Sequence, residues 1–432
     1  MTPAYRLRAL ARLARPIIAA GAVLLALPTP WVLAAEPGTL EPIDPAGFQA
    51  CVARLQPAAT AKGVDAATFA RLTRGLVADA SVLESLDYQP EFKTPVWDYL
   101  AALVDEDRIE QGRAMLVQWR DVLAQVESRY GVDARMVVAV WGVESNFGQR
   151  FGSREILPSL ATLSCLGRRQ KYFSGEFVSA LKIVGDGHVA AEKLRGSWAG
   201  AFGHTQFMPS TFLRTAVDFD GDGRRDIVDS VPDALGSTAN YLKRAGWRSG
   251  QAWGLEVALP PGFDVATAGR KQRRALADWL ALGLRRADGG AIEAAALGVA
   301  PDTPAAVLVP ALRDAQPGRG PGPAFLVFRN FDAIYSYNAA VSYALAIAHL
   351  ADRLGGGGPF VTPWPTDDPG LGRAGRRALQ ALLALRGHDI GPVDGMVGKR
   401  TRAAIRAEEK RLGLPETGRA GGRILEALRA GR

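Results

Sequence analysis

The stretch VAVWGVESNFGQRFG, residues 138–152, sets one carboxylate, Glu144, among Val140, Trp141, Val143 and Phe147. Carboxylates are rarely buried unless they are paired or used. Upstream, Met136, Val137, Val140 and Trp141 follow helical spacing. Together with Asp133 as an N-cap, they predict a helix that begins at Asp133 and is ended by Asn146 and Gly148. Glu144 then lies in the last turn, where a negative charge faces the negative end of the helix dipole and Val140 and Trp141 sit one turn back. Both effects disfavour the charged form, as burial does. A carboxylic acid that keeps its proton near neutral pH suits general-acid work. The plain alternative is a solvated glutamate at a helix end.

Around this stretch lies a chain of 432 residues, too long for one ordinary domain, with 48% apolar and 22% charged residues, as in globular proteins. Arg6, Arg8, Arg12 and Arg15 form a basic segment with no acid before Glu36, followed by an apolar run from Ile17 to Leu27. Eleven residues are too few to span a bilayer. Pro28 and Pro30 break the run, and Val32-Leu33-Ala34 suits cleavage, so residues 1–35 read as a secretory signal. The expectation is an exported, soluble, periplasmic protein that does not span the membrane. In an oxidising compartment the two cysteines, Cys51 and Cys165, predict a disulfide, with two buried thiols as the alternative.

The formal charge of +8 is unevenly placed. From Leu371 onward there are 14 Lys and Arg against 6 Asp and Glu, whereas Glu36 to Gly370 holds 34 against 38. A basic terminal unit on a slightly acidic body suggests a tail that meets an anionic surface. Export favours a cell-wall polymer over nucleic acid; a solvated helix face is the bland reading.

Residues 48–130 are patterned as helices, with Val96, Leu100 and Val104 at four-residue steps. Further helices are expected over 175–186, 209–217, 231–245 and 338–354. Residues 252–330 change character, with Pro260-Pro261-Gly262 and Pro321-Gly322-Pro323 punctuating short segments such as LEVALP and AFLVFRN. They predict a small β-containing insertion. GGGGPFVTPWPTDDPGLG, residues 355–372, is a linker by composition, and a compact unit follows over 373–432. The fold class is mainly α, with an α+β component.

Ordinary glycoside hydrolysis uses two carboxylates flanking the scissile bond. Glu155 and Glu176 are near in sequence, but neither spacing forces it beside Glu144. A sugar with a free primary hydroxyl needs no second carboxylate, because it can attack its own anomeric carbon. VESNFG, then GSWAGAFGHTQFMPSTF at residues 196–212, then YNAAVSYALA at 337–346 resemble three successive motifs of the lytic murein transglycosylases, B-type branch. The likeness covers residues 48 to 354. It implies a lysozyme-like helical core, peptidoglycan glycan strands as substrate, and cleavage of the MurNAc–GlcNAc bond to a 1,6-anhydro-MurNAc product. Carried over, Glu144 is the single acid/base, and Ser197 and Gln206 contact the substrate or Glu144. Tyr241, Tyr337, Asn338 and Tyr343 line the cleft; helix packing is the alternative for Tyr241 and Tyr343. Neutral hydroxyls and amides can bind sugars without ionising Glu144. His204, inside the second motif, reads as structural. His188, His349 and His388 have no metal-ligand spacing.

DFDGDGRRDIVD, residues 218–229, matches a calcium loop. Asp218, Asp220 and Asp222 take positions 1, 3 and 5, Gly223 the turn, Arg224 the carbonyl position, Asp226 position 9 and Asp229 position 12. Asp229 is shorter than the usual Glu, and Asp233 could substitute. The resemblance includes a structural Ca2+ loop of this kind; an Asp- and Gly-rich surface turn is the alternative.

Residues 379–428 resemble the three-helix peptidoglycan-binding domain of wall enzymes, through LQALLALRGHDIGPVDGMVGKRTRAAI, GLPETG and ILEAL. Gly391, Asp394 and Gly395 make its loop, and Thr401 caps or starts the next helix. Ala407-Glu408-Glu409 departs from the aromatic and glutamine often found there. The rival readings are a hydrolytic muramidase, a wall-binding scaffold without catalysis, and a calcium-dependent adhesin. Partners among wall-synthesis proteins are unidentified by the sequence.

Overall fold

A computed structural model describes residues 43–87, 94–312, 314 and 318–431. The signal segment read over 1–35 lies outside the described residues.

The helix carrying Glu144 spans Ala134–Ser145. Asp133 caps it by accepting from the Arg135 amide, and Asn146 closes it in the left-handed region at φ 50°. Residues Met136 to Gly142 are all buried, so this helix is apolar all round and runs through the core. It packs against Val231–Arg244 and Val341–Leu354, the second of which is also buried on nearly every face. The helix expected over 338–354 starts at Val341 and ends at Leu354 as expected; a further helix, Arg329–Asn338, precedes it, and the two meet at a kink where Ala339 takes φ 51°.

A second apolar core gathers Pro45–Ala53, Ala66–Thr73, Ile156–Cys165, Gln170–Gly185 and Pro209–Thr215 around Phe177, Phe202, Phe207 and Phe212. The Cys51–Cys165 disulfide joins the first and third of these helices, with Cα atoms 5.9 Å apart. Tyr241 and Tyr337 pack against both cores and therefore mark the seam between them.

The insertion contains a five-stranded antiparallel sheet. Its strands are β1 Gly254–Ala258, β2 Arg273–Ala275, β3 Arg285–Arg286, β4 Pro304–Leu308 and β5 Ala324–Val327, in the order β2-β4-β5-β1-β3. Alternate residues of β4 and β5 face opposite sides. Ala306, Leu308, Phe325 and Val327 join the main helical core, whereas Ala305, Val307, Ala324 and Leu326 join a small core around Trp279 and Phe328. A sheet buried on both faces explains why AFLV reads as a continuous apolar run. β5 leads directly into Arg329–Asn338 and so anchors the arm that delivers Tyr337.

Residues 355–372 are laid along the core. Phe360 stacks on His349 at 3.9 Å and meets Phe325 at 4.8 Å, while Glu256 accepts from the amides of Val361 and Thr362. Three helices follow, Arg373–Leu385, Lys399–Arg411 and Gly422–Arg429, around Leu379, Leu383, Ile405 and Leu425. Gln380 fixes the glycine loop by accepting from the Gly395 amide at 2.7 Å. Gly398, not Thr401, is the cap residue of the middle helix; Thr401 lies buried inside its first turn. Glu408 pairs with His388, Arg386 and Arg411, and Glu409 accepts from Thr417 and the Gly418 amide, so both acids are internal ties.

Part of the basic surplus faces the chain's own core. Arg419 pairs with Asp98 and Asp368, Arg377 with Asp107, and Arg376 donates to the Ala102 carbonyl.

Candidate active site

Glu144 sits in the last turn of its helix, half-buried, with its carboxyl group against the Tyr343 hydroxyl. Burial pushes its pKa up to about 8, against a smaller opposing effect of the hydrogen bond that Tyr343 Oη donates to its Oε1. Tyr343 and Tyr337 are themselves held well above the ordinary phenol range, mainly by burial and secondly by the nearby Glu144. Burial thus favours the uncharged form of the acid and of both phenols.

The tyrosines form a continuous row. Tyr343 stacks on Tyr337 at 6.2 Å and Tyr337 lies 4.6 Å from Tyr241. The other two hydroxyls are also used: Tyr337 donates to the Thr205 carbonyl at 2.7 Å, and Tyr241 to the Ser336 carbonyl at 2.8 Å. The kink at Ala339 turns Tyr337 and Tyr343, on successive helices, toward the same seam. Asn338 ends the first of these helices and is exposed.

The second motif folds as a tight loop pinned to the end of the Glu144 helix. Trp141 Nε1 donates to His204 Nδ1 at 2.9 Å, and Ser145 Oγ donates to the His204 carbonyl at 2.8 Å. Burial lowers the His204 pKa to about 4, so the ring is neutral and its Nδ1 stays an acceptor. Gly148 has φ 82°, and a Cβ there would fall 2.2 Å from His204 Cε1. Glycine is what lets the ring approach. This Trp141–His204–Ser145 staple was not legible in the sequence beyond the reading of His204 as structural. Its residues carry no periodic signal, and only the pairing in space reveals it.

Ser197 Oγ accepts from the Ala201 amide at 3.0 Å within a local turn. Gln206, at φ 49°, donates from Nε2 to the carbonyls of Phe151 and Gly203. Among the described hydrogen bonds neither side chain reaches Glu144. The two other glutamates considered as partners lie elsewhere in function: Glu155 is exposed and pairs with Arg195, and Glu176 is buried, accepting from the Ser210 amide and hydroxyl. A cavity of about 470 Å³, lined by Arg270, Leu308, Tyr335 and Ser342, adjoins the same helix kink but includes neither Glu144 nor the tyrosine row.

In the acidic loop, Asp218, Asp220 and Asp222 bring carboxylate oxygens within 4.8 Å of one another. Three like charges at this spacing suit a hard divalent cation with oxygen ligands. Asp226 is buried and accepts from the amides of Val228 and Asp229, while Asp229 pairs with Lys193 at 2.6 Å. Asp233, offered as a substitute ligand, is fully buried and accepts from the amides of Phe219, Asp220 and Asp226. It braces the loop from within. Arg224 turns its guanidinium to the His188 carbonyl.

Comparison with known proteins agrees with this architecture. Residues 47–352 match the Transglycosylase SLT domain family, and residues 372–428 match a peptidoglycan-binding domain family. The chain is similar to SltB3 from Pseudomonas aeruginosa, solved in complex with NAG-anhNAM-pentapeptide, at 45% identity and a TM-score of 0.69 over 88% of this chain and 99% of that one. It is also similar to Slt35 from Escherichia coli, solved in complex with calcium, at 29% identity and a TM-score of 0.59 over 72% of this chain and 92% of that one. Membrane-bound lytic murein transglycosylase B from Escherichia coli (strain K12) is 38% identical over 205 residues, 44% of this chain and 56% of the relative. The chain thus spans about half the length of that curated relative. No described helix is long and apolar enough to cross a membrane. With a family match across residues 47–352, the chain belongs to the SLT transglycosylases and carries a C-terminal domain of the peptidoglycan-binding family.

Proposed function

We propose that the protein is an exported, periplasmic lytic transglycosylase that cleaves the MurNAc–GlcNAc β-1,4 bond of peptidoglycan and forms 1,6-anhydro-MurNAc. The observation that carries the reading is the placement of Glu144 in the last turn of its helix, where the Tyr343 hydroxyl donates to its carboxyl group beside the row Tyr343–Tyr337–Tyr241; burial raising its pKa to about 8 supports a role as proton donor. Glu144 gives its proton to the glycosidic oxygen as the bond from the MurNAc anomeric carbon breaks. The N-acetyl group stabilises the resulting positive charge. The C6 hydroxyl of the same MurNAc then bonds to the anomeric carbon and returns its proton to Glu144, so no water is consumed. Ser197, Gln206, Tyr241, Tyr337, Asn338 and Tyr343 bind and orient the sugars, Tyr343 also fixing the carboxyl group through its hydroxyl.

The clustered carboxylates of Asp218, Asp220 and Asp222, with the Arg224 carbonyl, Asp226 and Asp229, would hold a structural Ca2+. Lys193 must release Asp229 for it to take part. The bound cation would neutralise the clustered carboxylates and stiffen the entry to the helix that carries Tyr241. Residues 1–35 serve as the signal peptide, 36–354 as the catalytic region, 355–372 as the connector and 373–432 as the wall-binding domain.

Mass spectrometry of products from purified sacculi tests the reaction, with the mature protein and Glu144→Gln in parallel. Anhydro-muropeptides from the wild type alone are expected. Reducing-end products would overturn the ring-closing step in favour of hydrolysis. No product from either protein, with both still pelleting on sacculi, would leave a binding scaffold.

A further inference from the structure

The first residue of the C-terminal domain's first helix, Arg373, is 7% exposed and donates from Nη2 to Asn146 Oδ1 at 2.8 Å. Asn146 is 5% exposed and closes the Glu144 helix from the left-handed region, two positions after the acid. Its side chain also donates to Gln149 Oε1 at 2.6 Å and accepts, more distantly, from Arg108 at 3.5 Å. Asparagine tolerates the left-handed region best when its short polar side chain is hydrogen-bonded. Here Gln149 engages the amide nitrogen locally, while the shortest bond to the amide oxygen comes from Arg373, 227 residues away in the chain.

Asp105 fastens the same junction. Its Oδ1 accepts from the Arg108 amide at 3.0 Å, capping the helix Glu106–Gln118, and its Oδ2 accepts from the Arg373 amide at 3.3 Å. One carboxylate therefore sits at the start of a helix from each domain. The guanidinium of Arg373 lies at the carboxyl end of the Glu144 helix, where a cation is favoured by the helix dipole.

We infer that Arg373 is a positioning residue: the C-terminal domain supplies a buried contact that helps fix the end of the catalytic helix, so seating of that domain contributes to the placement of Glu144. This rests on the transglycosylase reading for its consequence in turnover, but not for its structural part. A domain that only tethers the enzyme to the wall has no need of a buried bond to the catalytic helix cap.

The test uses the full mature chain with Arg373→Met, which keeps the apolar stem, Arg373→Lys, which keeps a charge and a donor, and Arg377→Ala. Arg377 lies on the same helix and pairs with Asp107 at the partly exposed rim. Hydrogen exchange is followed by mass spectrometry over residues 141–150, and turnover is followed on soluble, peptide-free glycan chains that need no wall binding. Expected for Arg373→Met is at least tenfold faster exchange in 141–150 and about tenfold lower kcat with little change in KM, because small displacements of a reacting group cost turnover. Arg373→Lys recovers most of both, and Arg377→Ala changes neither. Unchanged exchange in Arg373→Met overturns the inference whether or not the chain turns over glycan. Faster exchange with kcat unchanged in an active enzyme also overturns it. A wild type inactive on both glycan and sacculi would instead remove the transglycosylase reading, and the exchange result would still decide whether Arg373 holds the helix end.

Discussion

Replacing Glu144 by Gln should make the protein more stable, and by an amount that depends on pH. The carboxyl group ionises near 4.5 in the unfolded chain and at about 8 in the folded one, because burial penalises the charge. Between those values the folded state holds a proton that the unfolded state has lost. Stability from this group is therefore fully present below pH 4.5 and falls as pH rises toward 8. At pH 7 the loss is about 3 kcal/mol, and above pH 8 it levels off near 5 kcal/mol, as orders of magnitude. Glutamine cannot ionise and can still accept from Tyr343, so the variant escapes this loss. Chemical denaturation of both proteins at pH 4, 5.5, 7 and 8.5 isolates the effect, since all other titrating groups cancel in the difference. The gap between variant and wild type should be near zero at pH 4 and should widen through neutrality. A constant gap, or none, would show that the carboxyl group is solvated, and the account of Glu144 as a protonated acid would fail with it. Catalysis should follow the same titration, with wild-type turnover falling on the alkaline side near pH 8 as the acid loses its proton.

Tyr343→Phe removes the donor that partly offsets the burial of Glu144, so the alkaline limb of the pH–rate profile should move upward. Turnover should fall about tenfold to a hundredfold, which steady-state kinetics on glycan would measure. His204→Phe strands the buried Trp141 Nε1 and should cost about 1–3 kcal/mol in denaturation experiments, with the fold retained. Calcium at a hundred times its dissociation constant should add about 3 kcal/mol of stability. Chelator should reverse the gain in thermal melts, and Asp218→Asn with Asp220→Asn should abolish the response. Loss of glycan cleavage without loss of stability on chelation would assign the cation a catalytic role instead.

Much of the site was legible because its chemistry coincides with local pattern. Asp133 and Asn146 bound the Glu144 helix through their own side chains and backbone preferences, so the acid's place in the last turn follows from short-range rules. The β-containing insertion was visible through its punctuation. Its five-stranded order was not, because β4 and β5 are buried on both faces and lose the alternation that assigns a face. The helix expected over 338–354 is present but begins three residues later, at Val341. Ala339 adopts a left-handed conformation that nothing in YNAAVSYALA requires, and tertiary contacts that turn Tyr337 and Tyr343 to one seam override the helical propensity of the segment. His204 could be read as structural, but its bond to Trp141 spans 63 residues and left no trace in spacing.

The basic charge of the C-terminal unit is divided between internal contacts and the exposed surface. Fourteen basic residues against six acidic ones suggested a face turned to an anionic polymer. Yet Arg373, Arg376, Arg377 and Arg419 all bind the chain's own core, and Glu408 and Glu409 tie the domain internally. The basic excess that stays exposed lies on other residues, such as Arg402 and Arg406 of the middle helix. Exposed charges are screened at salt concentrations that leave buried pairs nearly intact. Arg419 and Asp98 retain only 24% and 13% side-chain exposure, so this pair belongs to the protected class. Salt should therefore release the protein from sacculi well before it unseats the C-terminal domain. Wall adhesion and the placement of the Glu144 helix draw on the same basic domain but on different arginines, which is why the two can be separated by mutation.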